Sequence, residues 1–280
     1  MIYMEDGNGL IPGGLKRCSR ERQNPPETFQ KGFITIEEGS GLIPNKPILV
    51  QNPAGQVCVG KTSKLGLDRP CLSFPIENTC ISTSVRMNNP DHVCTYCYGK
   101  QVGIRLNMPT AIKSRKENYR IYREENETFW KQLQGWILYN EVKTNFFRYF
   151  VVGDIPDEHF LFNANEIAEM FPKIPFWIPT LKTGFLKRFL EKEEHELASN
   201  LIIRLSSPLV NEIDPIRFEW KSMTYTGKQP KGSYRCPSSD QDDECRDCWA
   251  CWNKKVKLIA YPLNLQERKG KPKVKRSEYI

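Results

Sequence analysis

The sequence predicts an α/β protein built on a parallel sheet or βα barrel, with an irregular N-terminal extension and a C-terminal Cys-rich metal module. Three observations carry this prediction. Strand-like apolar runs starting at Phe146, Pro175 and Leu201 recur at intervals of nearly thirty residues, and each ends in turn residues, which is the repeat of a βα unit. A long amphipathic block precedes them. Of the ten cysteines, Cys71, Cys80, Cys94 and Cys97 form one group and Cys236, Cys245, Cys248 and Cys251 another, with Cys18 and Cys58 apart.

A chain of 280 residues can bury the core of one barrel-sized domain with appendages. The net charge of +8 and the pI near 8.9 favour an anionic partner, whether nucleic acid, a nucleotide or a phosphorylated metabolite. The start, Met1 to Gly14, carries Glu5 and Asp6 instead of an apolar signal, and no run is long enough to span a bilayer. The expectation is a cytoplasmic protein with reduced thiols and no membrane partner.

Taken in order, residues 1–65 read as the irregular extension, with Phe33–Ile36 and Pro47–Val50 as short strand pieces. Gly7, Gly9, Gly13 and Gly14 lack the strand, helix and lysine of a phosphate loop. Residues 66–225 read as the barrel core. Within it, Ala111 to Val142 places Tyr119, Tyr122, Phe129, Trp130, Leu133 and Ile137 at spacings that predict one or two amphipathic helices. The basic run Lys113, Arg115, Lys116, Arg120 and Arg123 alternates with Glu117, Glu124 and Glu125, the pattern of a solvated helix face.

Phe146–Val152 reads as a buried strand, Leu161–Phe171 as a helix, Pro175–Thr180 as a strand, Leu186–Leu197 as a helix and Leu201–Leu205 as a strand. If the sheet is parallel, Gly153, Asp154, Thr180, Lys182, Ser206 and Ser207 share its carboxyl rim, where chemistry gathers in such folds. Residues 226–263 form the Cys-rich module with a last strand at Leu258–Leu263, and residues 264–280 a flexible basic tail.

Cys94-Thr-Tyr-Cys97 places two thiolates on one tight turn, a separation that suits zinc or an iron–sulfur cluster, and Cys80 or Cys71 can supply a third ligand. The plain alternative is reduced buried cysteines or half of a structural zinc site. The second group, Cys236-Pro237 followed by Cys245, Cys248 and Cys251, offers four thiolates and predicts a closed site for zinc or a second [4Fe–4S] cluster.

With Tyr96 before and Tyr98 after its second cysteine, the pair resembles the end of the cluster loop of radical S-adenosylmethionine enzymes. Pro90 stands where those enzymes place their first cysteine, so Cys80 would reach in across thirteen residues. Gly153-Asp154-Ile155-Pro156 resembles their Gly-Gly-Glu-Pro strand end; the plain reading is a strand-to-helix turn capped by Asp154 or Asp157. The resemblance implies a partial barrel of radical-SAM type. It also implies a [4Fe–4S] cluster on Cys80, Cys94 and Cys97, and S-adenosylmethionine contacted by Tyr96, Tyr98, Gly153, Asp154 and Ser206, with Arg204 and Lys182 as weaker candidates. A one-electron reductant would be a partner.

Taken together, the cysteine loop, the Gly-Asp strand end, Phe176-Trp-Ile-Pro-Thr-Leu-Lys182, Leu205-Ser-Ser207 and the C-terminal cysteines resemble the gene product 88 family of phages and plasmids over about Lys61 to Leu263. That family lends a radical-SAM-like barrel but no settled activity; the leading expectation is an iron–sulfur, S-adenosylmethionine-dependent radical enzyme of phage or mobile-element origin acting on an unknown substrate. The alternatives are a zinc-stabilised nucleic-acid-binding or nucleobase-modifying protein, and a phage interaction protein that keeps the barrel without catalysis.

Overall fold

A computed structural model describes residues 55–62, 65–80, 89–97, 109–191 and 196–263, with the strand pieces 33–34 and 48–49. Those pieces, β1 (Phe33–Ile34) and β2 (Ile48–Leu49), pair antiparallel where short strands were expected. Cys18, Tyr98 and the basic tail lie outside the described residues.

The main sheet has eight strands: β3 (Gly60–Thr62), β4 (Gly66–Leu72), β5 (Phe147–Tyr149), β6 (Phe176–Thr180), β7 (Leu201–Ser206), β8 (Lys221–Tyr225), β9 (Tyr234–Arg235) and β10 (Leu258–Pro262). Their order is β3-β4-β5-β6-β7-β8-β10-β9. Only the β3–β4 pair is antiparallel, so the fold is mixed α/β on a seven-stranded parallel sheet. Strands β4 to β8 lie side by side in chain order, the winding that short βα connections produce when each crossover returns to the neighbouring position. Among the described residues β3 and β9 do not pair with each other, so closure into a barrel is not part of the observed sheet.

Five helices accompany the described sheet: α1 (Ile76–Thr79), α2 (Pro109–Glu124), α3 (Asn126–Asn140), α4 (His159–Met170) and α5 (Thr183–Glu191). The helical block is two helices because the backbone leaves helical geometry at Glu125 (φ −136°, ψ 50°), where the Asn126 side-chain Nδ2 donates to Tyr122 O at 3.0 Å. Strand alternation splits the core. Phe176 and Ile178, and likewise Leu201, Ile203 and Leu205, pack with α2 to α5, whereas Trp177 and Ile202 face the opposite side with Phe146 and Trp252. Burial on both faces explains why these strands read as continuous apolar runs.

Four strands escape a sequence reading, the short β3 and β9 and the longer β4 and β8. β4 contains Pro70, which normally argues against a strand, but its parallel pairing with β5 begins only at Cys71. β8 is Lys-Ser-Met-Thr-Tyr, whose alternation is too short and polar to stand out. β5 in turn is shorter than expected, since Phe150 adopts φ 55° and turns the chain into the aromatic core.

That core centres on Phe74, with the rings of Tyr119, Tyr122, Phe129, Phe150 and Phe160 all 5.5–5.8 Å away. Because the ring is fully buried and ties β4 to three helices, Phe74→Ala is expected to lower unfolding free energy by about 3–5 kcal/mol, read as a fall in the urea midpoint.

Candidate functional site

The site is built from the chain segments that follow the parallel strands. After β4 the chain makes the single turn of α1, where Thr79 Oγ1 donates to Pro75 O at 2.8 Å and accepts from Asp154 N at 3.0 Å. This contact locks the turn after β4 to the turn after β5 and sets Cys80 beside Asp154. Position 153 must be glycine: its φ is 85°, and a Cβ would stand 2.5 Å from Phe74 O and 2.9 Å from Thr79 Oγ1.

The Cys94–Cys97 turn comes to the same rim by a different route. His92 bridges Leu209, Val93 N donates to Pro208 O at 2.9 Å and Val210 N to Asp91 O at 2.7 Å, so the loop is stitched to the chain leaving β7. Within the loop, His92 Nδ1 accepts from Cys94 N at 3.1 Å and caps the 3-10 turn Val93–Tyr96. The Tyr96 hydroxyl donates to Pro90 O at 3.0 Å. Burial pushes the Cys80 thiol well up, the charges of Asp154, Cys97 and Cys94 push it further, and Lys182 opposes them. Five residues singled out in the sequence, from four chain segments, therefore share one electrostatic neighbourhood.

Of Cys71 and Cys80, it is Cys80 whose thiol feels the charges of Cys94 and Cys97. Cys71 lies within β4, bonded from Sγ to Gly60 O at 3.4 Å, and the charges acting on it are those of Arg148 and Arg115. Asp154 is buried, and its carboxylate already accepts from Ile155 N (2.7 Å), Thr180 Oγ1 (2.6 Å) and Leu181 N (3.0 Å). Burial nonetheless holds its pKa above the usual carboxylate range. It links the ends of β5 and β6, while Asp157 takes the helix-capping position, accepting from Phe160 N at 3.2 Å. Ser206 ends β7, its hydroxyl 3.1 Å from that of Ser222.

The second cysteine group packs under the opposite face of the sheet. Cys248 Sγ lies 3.5 Å from the Tyr234 hydroxyl, Cys251 Sγ 3.5 Å from that of Tyr261 and Cys236 Sγ 3.2 Å from Ser238 Oγ. Cys251 feels the charges of Cys236 and Cys245, and burial pushes its thiol up to about 12 against the pull of the Tyr261 hydroxyl and Arg204. Trp249 stacks on Phe146 with centroids 4.0 Å apart, Trp252 Nε1 donates to Phe147 O at 3.1 Å, and the Arg69 guanidinium lies 3.6 Å over Trp249.

Arg204 corrects the sequence reading. It was a candidate for a cosubstrate carboxylate or ribose, but on β7 it alternates to the Cys-rich face. There it is fully buried and donates to the carbonyls of Cys251 (2.9 Å), Val256 (2.9 Å), Ala250 (3.0 Å) and Asn253 (2.9 Å). The Tyr234 and Tyr261 hydroxyls beside the thiols were missed, since nothing in their spacing points to sulfur.

Among the described residues no group of three or more His, Cys, Asp or Glu side chains is drawn close enough together to hold a metal ion, and no disulfide joins the nine described cysteines. No described helix is long and apolar enough to cross a membrane. The basic run of α2 is largely neutralised, with Arg120 bound to Glu117, Glu124 and Glu125 at 2.8–2.9 Å and Arg123 3.6 Å from Asp157.

Fold and site define a parallel α/β protein with one cysteine-bearing rim and one cysteine-rich segment built into its sheet. The chain belongs to the Gene product 88 family, whose model matches residues 35–258 and so extends further toward the N-terminus than the motifs alone indicated. No curated protein and no solved structure matches it.

Removing the Arg204 guanidinium would leave four buried carbonyls without their donor. Arg204→Met is expected to destabilise the protein by at least about 3 kcal/mol, with protease cleavage appearing first between residues 236 and 256; cleavage elsewhere first would contradict the assignment.

Proposed function

We propose that the protein is an iron–sulfur, S-adenosylmethionine-dependent radical enzyme whose cluster is held by Cys80, Cys94 and Cys97 on a partial βα barrel of radical-SAM type. The observation that supports this reading is that Asp154, Cys97, Cys94 and Lys182 all lie within electrostatic reach of Cys80, after the carboxyl ends of strands in a parallel sheet wound in chain order. The donor chemistry fits: three soft thiol ligands on two chain segments suit a cluster that keeps one iron open. When bound, such a cluster supplies the electron that cleaves the cosubstrate reductively, drawn from a one-electron reductant.

The chain's own residues prepare the place. Thr79 and Gly153 fix Cys80 against the β5 turn, and the Pro208–Val210 contacts fix the Cys94–Cys97 turn. Asp154 orders the ends of β5 and β6 and leaves one acceptor position on Oδ2 for an ammonium group, whose other contacts come from strand-end backbone. Tyr96, Tyr98, Gly153 and Ser206 complete the cosubstrate surface in this reading.

A second reading, a zinc-stabilised protein acting on nucleic acid, draws on the four C-terminal cysteines, a ligand set that a structural zinc takes. The engaged arginines of α2 weigh against a nucleic-acid face there.

The deciding measurement is iron, acid-labile sulfide and zinc per chain after anaerobic reconstitution. About four or eight irons with matching sulfide are expected, falling by about four in Cys94→Ala/Cys97→Ala protein that remains folded. Zinc with negligible iron would sink the radical reading.

A further inference from the structure

We propose that Cys236, Cys245, Cys248 and Cys251 form one closed four-thiolate metal centre, with Arg204 as its counter-cation and the Tyr234 and Tyr261 hydroxyls donating to its sulfurs. The inference is independent of the radical-enzyme reading. Zinc on four thiolates and an oxidised [4Fe–4S] cluster on four thiolates are both anionic, and it is this shared negative charge that the surrounding residues match.

Strand register gathers the site at one edge of the sheet. Tyr234 on β9 is the neighbour of Ile259 on β10, and Cys236 N donates to Ala260 O at 2.9 Å. Alternation therefore puts Tyr234, Cys236, Ile259 and Tyr261 on one face. Cys248 and Cys251 pack in one cluster with Cys236, Ala250 and Ile259. Cys251 packs also against the cluster that holds Trp177 and Trp252, and Cys245 does the same. Cys248 N donates to Cys245 O at 2.8 Å and Trp252 N to Trp249 O at 2.9 Å, so the run from Cys245 to Cys251 is wound into successive tight turns. All four cysteines are free thiols. Among the described residues no three such groups stand close enough to share an ion, so forming the centre takes rotation of the thiol side chains on backbone that is already fixed.

The polar groups beside the sulfurs are those an anionic centre needs. Cys248 Sγ lies 3.5 Å from the Tyr234 hydroxyl, Cys251 Sγ 3.5 Å from that of Tyr261 and Cys236 Sγ 3.2 Å from Ser238 Oγ. A metal-bound sulfur carries no proton, so in the formed centre each hydroxyl is the donor. Arg204 supplies the charge. It is fully buried and donates to four carbonyls of the segment, that of Cys251 among them at 2.9 Å. Carbonyl dipoles solvate a cation without cancelling its charge, and a buried cation is costly unless a counter-charge lies near it. The groups whose ionisation favours the Arg204 cation are Cys251 and Tyr261, with no carboxylate among them. A thiolate centre at Cys251 supplies what the carbonyls cannot.

The test measures zinc and iron retained per chain against rising chelator, in full chains that all carry Cys94→Ala and Cys97→Ala, so that metal at the rim does not contribute. About one zinc or about four irons per chain are expected, ligated by sulfur in X-ray absorption and lost in Cys248→Ala/Cys251→Ala protein. Tyr234→Phe and Tyr261→Phe, which keep the ring and remove the donor, are each expected to release the metal at about tenfold lower chelator. Arg204→Lys, which keeps the charge but gives up the planar fork, is expected to hold metal about tenfold better than Arg204→Met. A folded chain without metal, or metal held undiminished in Cys248→Ala/Cys251→Ala protein, would overturn the centre. Equal retention by the lysine and methionine variants would overturn the counter-cation. If neither arginine variant folds, the tyrosine variants carry the test: earlier release supports the polar shell, and release matching the parent chain overturns it. Because the rim cysteines are absent from every chain compared, failure of the radical reading leaves these outcomes unchanged.

Discussion

The arrangement depends on the burial of one cation, the Arg204 guanidinium. A charged group taken fully out of water is tolerated only where dipoles or counter-charges replace the lost hydration. Here the replacement is a ring of four backbone carbonyls from Ala250, Cys251, Asn253 and Val256. The planar, five-donor fork can reach four acceptors at once, which a lysine ammonium with three donors could not. The same contact fixes the segment carrying Cys245, Cys248 and Cys251 beneath β7, and the chain then returns as β10 beside β8. The Cys-rich segment is therefore part of the core, continuous with the sheet through β9 and β10.

This explains which parts of the fold could be read from sequence. The repeat from β5 to β7 was legible because strands buried on both faces carry apolar residues at every position, as Phe176-Trp-Ile and Leu201-Ile-Ile do. The helical block was legible by its three- and four-residue spacing. β4 was hidden by Pro70, whose consequences depend on which neighbour needs its amide, and pairing is a tertiary fact. Arg204 was misread for a related reason: a cation near a strand end looks like a rim residue until alternation assigns it to a face, and its partners lie more than forty positions away in the sequence.

The rim was partly legible. The Cys-x-x-Cys turn and the Gly-Asp strand end could be singled out by residue type, but the choice between Cys71 and Cys80 could not, because both lie within reach of the pair along the chain. Position relative to β4 separates them. Cys71 sits inside the strand, next to Arg148, while Cys80 follows the turn locked by Thr79 to Asp154. Tyr234 and Tyr261 were not legible at all, since their relation to the thiols comes from the parallel pairing of β9 and β10.

The two cysteine groups differ in what surrounds them, and that difference bears on role. The C-terminal sulfurs are backed by Tyr234, Tyr261 and Ser238 hydroxyls, with Trp249 and Trp252 packed beside Cys245 and Cys251, an environment suited to a fixed structural centre. The rim cysteines are placed by contacts to the turns after β5 and β7, through Thr79 and the Val93 and Val210 amides, beside a buried carboxylate that keeps one acceptor position and a lysine at the end of β6. Chemistry that must admit a cosubstrate belongs at the second kind of site. The proposed division of labour therefore puts reactivity at the strand ends and a structural role at the Cys-rich segment beneath them.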